Sequence, residues 1–136
     1  MSAVVVDASV WVSRLVDGDI HHARCQAWLE KQTSEGGLLV APALVLAEVA
    51  GAISRRTGHP TLAHRAVEVL QALPSLRLVS VDASLAGLAA ELAGDHALRG
   101  ADAVYAATAS QLGLPLVTLD GEQLRRAQSI ISTTSP

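Results

Sequence analysis

Short apolar runs alternate along this chain with longer stretches of helical period. The first run, Val4-Val5-Val6, puts three β-branched residues together, as in a strand buried on both faces beneath helices. It ends at Asp7, followed by Ala8 and Ser9. Residues 8–16 then read as a short helix stopped by the Asp17-Gly18-Asp19 turn. Asp19 is placed to cap a helix over 20–33, with Ile20, Ala23, Ala27 and Trp28 on its apolar stripe and Glu30 and Lys31 outward. Gly36-Gly37 breaks it, and Leu38-Leu39-Val40 predicts a second buried strand. Pro42 suits the first position of a third helix running to Thr57, with Gly58 as its stop. A fourth helix is expected over 61–73, ended by Pro74, and a third strand over 76–81. Asp82 caps a helix carrying Leu85, Leu88, Ala89 and Leu92 at helical spacing. After a loop at 94–100 come a small-residue helix over 101–112, a fourth strand over 114–119, a short helix over 121–127 and a weak fifth strand over 129–132. Residues 133–136 read as a flexible tail.

Strands alternating with helices imply right-handed crossovers and a central parallel sheet of four to five strands covered on both faces. The expected fold class is therefore α/β, a three-layer, Rossmann-like sandwich forming one domain over 1–132. With 136 residues, half of them hydrophobic, the chain is long enough to bury a core and far from a disordered composition. No apolar run approaches a membrane span. The start MSAVVVD has no basic stretch ahead of an apolar core, so no secretory signal is expected. The single cysteine, Cys25, reads as a small buried hydrophobe and fits a reducing cytoplasm. A net charge of −3 means the molecule as a whole does not attract nucleic acid; any such role needs a local basic patch or metal ions.

Candidate chemistry lies in four acids. Asp7 ends the first strand, at the rim where open α/β sheets bind ligands; taken alone it reads as the N-cap of the next helix. Glu48 shares a helix face with Leu44, Val45 and Ala52, and a carboxylate on an apolar stripe needs a partner, whether an arginine such as Arg55 or Arg99 or a bound cation. Asp102, in the first turn of its helix, gains from the helix dipole. Asp120 precedes Gly121 and, with Gln123, has the spacing of a capping box. Taken together they are more specific. If the strands ending at Asp7 and Asp120 are neighbours, the carboxylates converge, and four in one pocket repel unless protonated or bound to metal. Oxygen donors suit Mg²⁺ or Mn²⁺, and such ions promote attack of water on a phosphodiester.

Four blocks in order, VVVDASVW, APALVLAEV, LRGADAVYAATA and PLVTLDGEQL, resemble the PIN-domain family, specifically the VapC-type toxins of toxin–antitoxin modules, over essentially the whole chain. The resemblance implies a PIN-like fold and a Mg²⁺- or Mn²⁺-dependent endoribonuclease. Asp7, Glu48, Asp102 and Asp120 match the family's acidic quartet, with Asp7 and Asp102 as main ligands, Glu48 acting partly through water, and Asp120 as second-site ligand or water-positioner. Ser9 and Thr118 match its supporting hydroxyls. It also implies a homodimer silenced by a cognate VapB-type antitoxin.

Lys31 is the only lysine, so RNA would be held by arginines: Arg14, Arg55, Arg56 and Arg99, with Arg125 and Arg126 as further candidates. Arg14 is expected to border the acid pocket. The five histidines lack metal-ligand spacing, Trp11 and Trp28 read as packing residues, and no glycine motif cradles a phosphate. The competing readings are a catalytically inactive PIN-like RNA- or protein-binding module and another acid-rim phosphotransfer domain. A haloacid-dehalogenase-like phosphatase needs an Asp where Ser9 stands, and a receiver needs a late lysine that is missing.

Overall fold

The computed structural model describes residues 2–136. Five parallel strands form one sheet in the order β3-β2-β1-β4-β5: β1 Ala3–Val6, β2 Leu38–Pro42, β3 Leu76–Val79, β4 Leu116–Val117 and β5 Thr133–Thr134. The helices are α1 Ala8–Leu15, α2 His22–Ser34, α3 Val45–Thr57, α4 Pro60–Ala72, α5 Ala83–His96, α6 Gly100–Leu112 and α7 Gly121–Ala127. They flank the sheet, α6 packing against β1, β2 and β4 and α2 against β2. Val5 and Val6 are fully buried, as a triplet under helices on both faces must be. None of the described helices is long and apolar enough to cross a membrane.

The strand order decides where a ligand site can form. From β1 the chain moves outward through β2 to β3, then returns to place β4 on the other side of β1. The order therefore reverses between β1 and β4, and the carboxyl ends of such strands flank a crevice. Val5 pairs with Leu116 and Val6 with Val117, and the Asp7 amide donates to the Val117 carbonyl at 2.9 Å. Asp7 and Thr118 thus leave adjacent strands at the same level.

α6 reaches the sheet because its residues are small. Ala103, Ala106, Ala107 and Ala109 are buried almost completely, and Tyr105 fills the space beside them. Gly113, at φ 65, ends the helix in a left-handed turn that favours glycine.

Several element boundaries differ from the pattern reading. β3 ends at Val79, two residues short of the expected strand end. Pro42 closes β2 rather than opening α3, which starts at Val45 without a side-chain cap. Asp19 does not cap a helix from residue 20; its Oδ1 accepts from the His21 amide in the turn before α2. β4 covers only two residues; Pro115, with no N–H to give to a ladder, stops it at its amino end. The fifth strand lies at Thr133–Thr134, not at 129–132, so part of the expected flexible tail is paired, Leu116 with Thr133 and Val117 with Thr134. Ile130 and Ile131 instead turn back onto the Ala127 carbonyl and pack against the cluster of Leu85, Ala89 and Ala106.

Candidate active site

The carboxyl rim opens into a cleft of about 590 Å³ lined by Asp7, Glu48, Asp102 and Asp120, together with Ser9, Arg55, Arg56 and Arg99. Four elements deliver the acids: Asp7 from the end of β1, Glu48 from the first turn of α3, Asp102 from the first turn of α6, and Asp120 from the turn into α7.

Asp7 is 5% exposed. It does cap α1, its Oδ2 accepting from the Ser9 amide at 3.0 Å, and the same oxygen lies 3.2 Å from the Thr118 hydroxyl. Burial pushes its pKa up; the bonds from Ser9 and Thr118 oppose this without cancelling it, and the charge of Asp102 adds to it. Ser9 Oγ accepts from the Leu119 amide at 3.0 Å, tying α1 to the end of the β4 segment. Thr118 is fully buried; its hydroxyl accepts from the Asp120 amide at 3.0 Å and has its own proton to give to Asp7 or to Gln123 Oε1, 3.0 Å away.

Glu48 pairs with neither Arg55 nor Arg99. Its Oε1 is buried with no hydrogen-bond partner, and so is the hydroxyl of Tyr105 nearby. Burial raises the Glu48 pKa; the Tyr105 phenol, close by but outside hydrogen-bond geometry, opposes this, as does the charge of Arg99, while Asp7 and Asp102 push it up again. Tyr105 itself, buried and facing Glu48 and Asp7, is held far above the usual phenol range.

Asp102 and Asp120 are bridged by one guanidinium. Arg99 Nε donates to Asp102 Oδ2 at 2.8 Å, and its Nη2 donates to Asp120 Oδ2. Burial raises Asp102 despite Arg99, with Asp120 and Glu122 adding to the rise. Burial also pushes Asp120 up, but the Gln123 amide, Arg99 and the Glu122 amide outweigh it and hold this carboxyl below its ordinary value. Asp120 Oδ1 caps α7, accepting from Glu122 and Gln123 at 2.9 and 3.1 Å. Among the described residues, no three His, Cys, Asp or Glu side chains are grouped so as to hold an ion as they are placed.

Of the arginines expected near the acids, Arg55, Arg56 and Arg99 line the cleft. Arg56 is also paired with Asp19 at 2.8 Å. Arg14 does not border the cleft: α1 carries it away from the rim, into a separate groove with Trp11, Leu29 and Leu70. Arg125 and Arg126 lie loosely against Glu122 on α7. The residue that pattern reading missed is Gln123. It is fully buried beneath the cleft, its Nε2 donating to the Asp102 carbonyl at 3.3 Å. A long amide within three residues of Asp120 was its only sequence signal, and that signal equally fits a cap.

A parallel sheet with an acid-lined crevice where its strand order reverses defines a Rossmann-like domain with an anionic site. A model of the PIN domain family matches residues 4–129, and the chain belongs to that family. Solved structures similar to it include the Mycobacterium tuberculosis toxin VapC20, described as cleaving the sarcin-ricin loop, at 25% identity and a TM-score of 0.76 over 88% of this chain and 92% of that one. FitAcB from Neisseria gonorrhoeae is 24% identical, with a TM-score of 0.70 over 96% of each chain. VapBC2 from Rickettsia felis, solved on a DNA fragment from its promoter, is 15% identical, with a TM-score of 0.73 over 98% of each. No curated protein sequence matches the chain.

Proposed function

We propose that this PIN domain is a divalent-metal-dependent endoribonuclease, the toxin of a toxin–antitoxin module. The observation that carries the reading is the convergence of Asp7, Glu48, Asp102 and Asp120 on one cleft. Three of them are held above the usual carboxylate range. Such crowding is tolerable with a cation among them.

The donor set fits Mg²⁺ or Mn²⁺. All four ligating groups are hard oxygens, and Glu48 Oε1 is buried without a partner. Asp7 and Asp102 would be the main ligands, Glu48 would act partly through water, and Asp120 would serve a second site or orient the attacking water. When bound, the ion supplies the Lewis acidity that phosphodiester hydrolysis needs. The chain supplies the rest. Ser9 and Thr118 fix Asp7 and the turn carrying Asp120. Arg55 and Arg56 offer phosphate contacts on the cleft wall, as Arg99 does when it leaves the acids. VapBC and FitAB neighbours support a VapB-type antitoxin as partner; the homodimer expected from the family resemblance belongs to the same reading.

RNA cleavage in Mg²⁺ or Mn²⁺ tests the reading. Wild type should cut, while Asp7→Asn and Asp102→Asn should each lose at least about a hundredfold in rate, the lower end of the range for an electrostatic group at a reacting centre. EDTA should abolish cleavage. Equal rates in all three folded proteins, or cleavage that survives chelation, would end the proposal. The Arg99 bridge is the one feature favouring a catalytically inactive binding module, and for that reading no folded form should cleave.

A further inference from the structure

Arg99 does more in this cleft than a phosphate contact requires. It stands at the N-cap of α6 with extended backbone, φ −64 and ψ 151, three residues before Asp102. From there its fork reaches acids on two elements: Nε is on Asp102 at 2.8 Å and Nη2 is on Asp120, across 21 positions of sequence. Both contacts fall on one oxygen of each carboxylate. Asp120 Oδ1 is already committed to the amides of α7, so Oδ2 is the oxygen left for a cation, and Arg99 holds it. Among the described residues, Asp7 and Glu48 carry no such counter-ion, and Glu48 Oε1 has no hydrogen-bond partner.

We propose that Arg99 is a built-in counter-cation that competes with the divalent ion for Asp102 and Asp120, so that metal binds only as the guanidinium lets go. The proposal rests on the metal-dependent reading above. Three observations support it. The acids lie on one cleft yet no three are grouped for an ion, and the bridge engages two of the four. A guanidinium fork is shaped for carboxylate oxygens, so it claims the same lone pairs a metal needs. The Arg99 side chain is 67% exposed, so its release meets little packing resistance and solvent-exposed pairs are individually weak. Arg99 is therefore a positioning residue whose removal should tighten metal binding, the opposite of losing a ligand.

Calorimetric titration of the full chain with MnCl₂, without RNA, tests this. Arg99→Gln should bind Mn²⁺ about three- to tenfold more tightly than wild type, the range expected for losing two exposed ion pairs. Arg99→Lys, a point charge that can satisfy one acid at a time, should fall between them. Asp102→Asn should weaken binding in the same titration. Unchanged or weaker binding by Arg99→Gln, with wild type binding normally, overturns the competition and leaves the metal reading standing. Absence of binding by wild type and Arg99→Gln alike at millimolar Mn²⁺ overturns both.

Discussion

Gln123 is the side chain on which the hydrogen bonds beneath the cleft converge. Its Nε2 faces the Asp102 carbonyl, which fixes the amide so that Oε1 faces Thr118. Thr118 has one proton for two acceptors, Gln123 Oε1 at 3.0 Å and Asp7 Oδ2 at 3.2 Å. Whenever Gln123 takes it, Asp7 Oδ2 keeps a free lone pair. Gln123→Leu preserves most of the volume but removes the amide's two hydrogen bonds, to the Asp102 carbonyl and from the Thr118 hydroxyl, leaving Thr118 to donate to Asp7. It should lower unfolding free energy by about 1–3 kcal/mol, read as a shift in the urea midpoint with an unchanged slope. A change within error would show that the amide is replaceable packing. The four acids were legible because each stands at a strand end or on an apolar helix face. Gln123 and the Arg99 bridge were not. The partner that makes each contact tertiary lies 21 residues away, and no periodicity records a contact between two helix starts. Asp120 caps α7 as its spacing suggests, yet its own amide donates to Thr118 rather than to Gln123 reaching back.

At the scale of elements, the joint between α5 and α6 carries the most local strain. Ala97 ends α5 at φ 54 and ψ 38, the one non-glycine residue with positive φ among those described. An L-residue there is disfavoured by roughly 1–2 kcal/mol. Its carbonyl accepts from Arg126 Nη1 at 2.6 Å, so α7 helps hold the bend, and two residues later Arg99 begins α6. Ala97→Gly relieves the strain, partly offset by the greater freedom of glycine in the unfolded chain. The variant should gain about 0.5–1 kcal/mol in urea unfolding. A loss of stability would mean that the turn is not strained as described. Element order and type were read correctly along the chain because runs such as Val4–Val6 and the leucines of α5 are strongly periodic. The ends were less legible. β5 is built from two threonines that pair only because β4 is already in place, whereas the more apolar Ile130 and Ile131 went to a helix cluster. Pattern alone cannot tell a strand from a buried turn when both are short.

For the whole molecule, the decisive quantity is charge held in the cleft rather than the net charge of −3. Asp7, Glu48 and Asp102 have folded pKa values raised above 3.8, 4.5 and 3.8, burial being the main cause in each. The folded chain therefore binds more protons than the unfolded chain over the range above those values, and stability from these groups falls as pH rises through it. Asp120 and Asp19 are lowered, so their contribution is lost only as pH drops below the ordinary carboxylate range. In EDTA the melting temperature should accordingly be higher near about pH 5 than near about pH 7.5. Millimolar Mg²⁺ or Mn²⁺ should reverse the trend. The ion needs deprotonated ligands, so it displaces the extra protons and stabilises the folded state more at the higher pH. A hundredfold excess of ion over its dissociation constant adds about 2.7 kcal/mol, enough to move the melting temperature by several degrees. Melting curves at both pH values, with and without the ion, supply the check. A metal-free melting temperature that rises toward neutral pH would mean that the cleft acids ionise without strain, and the electrostatic case for a bound cation would fail with it.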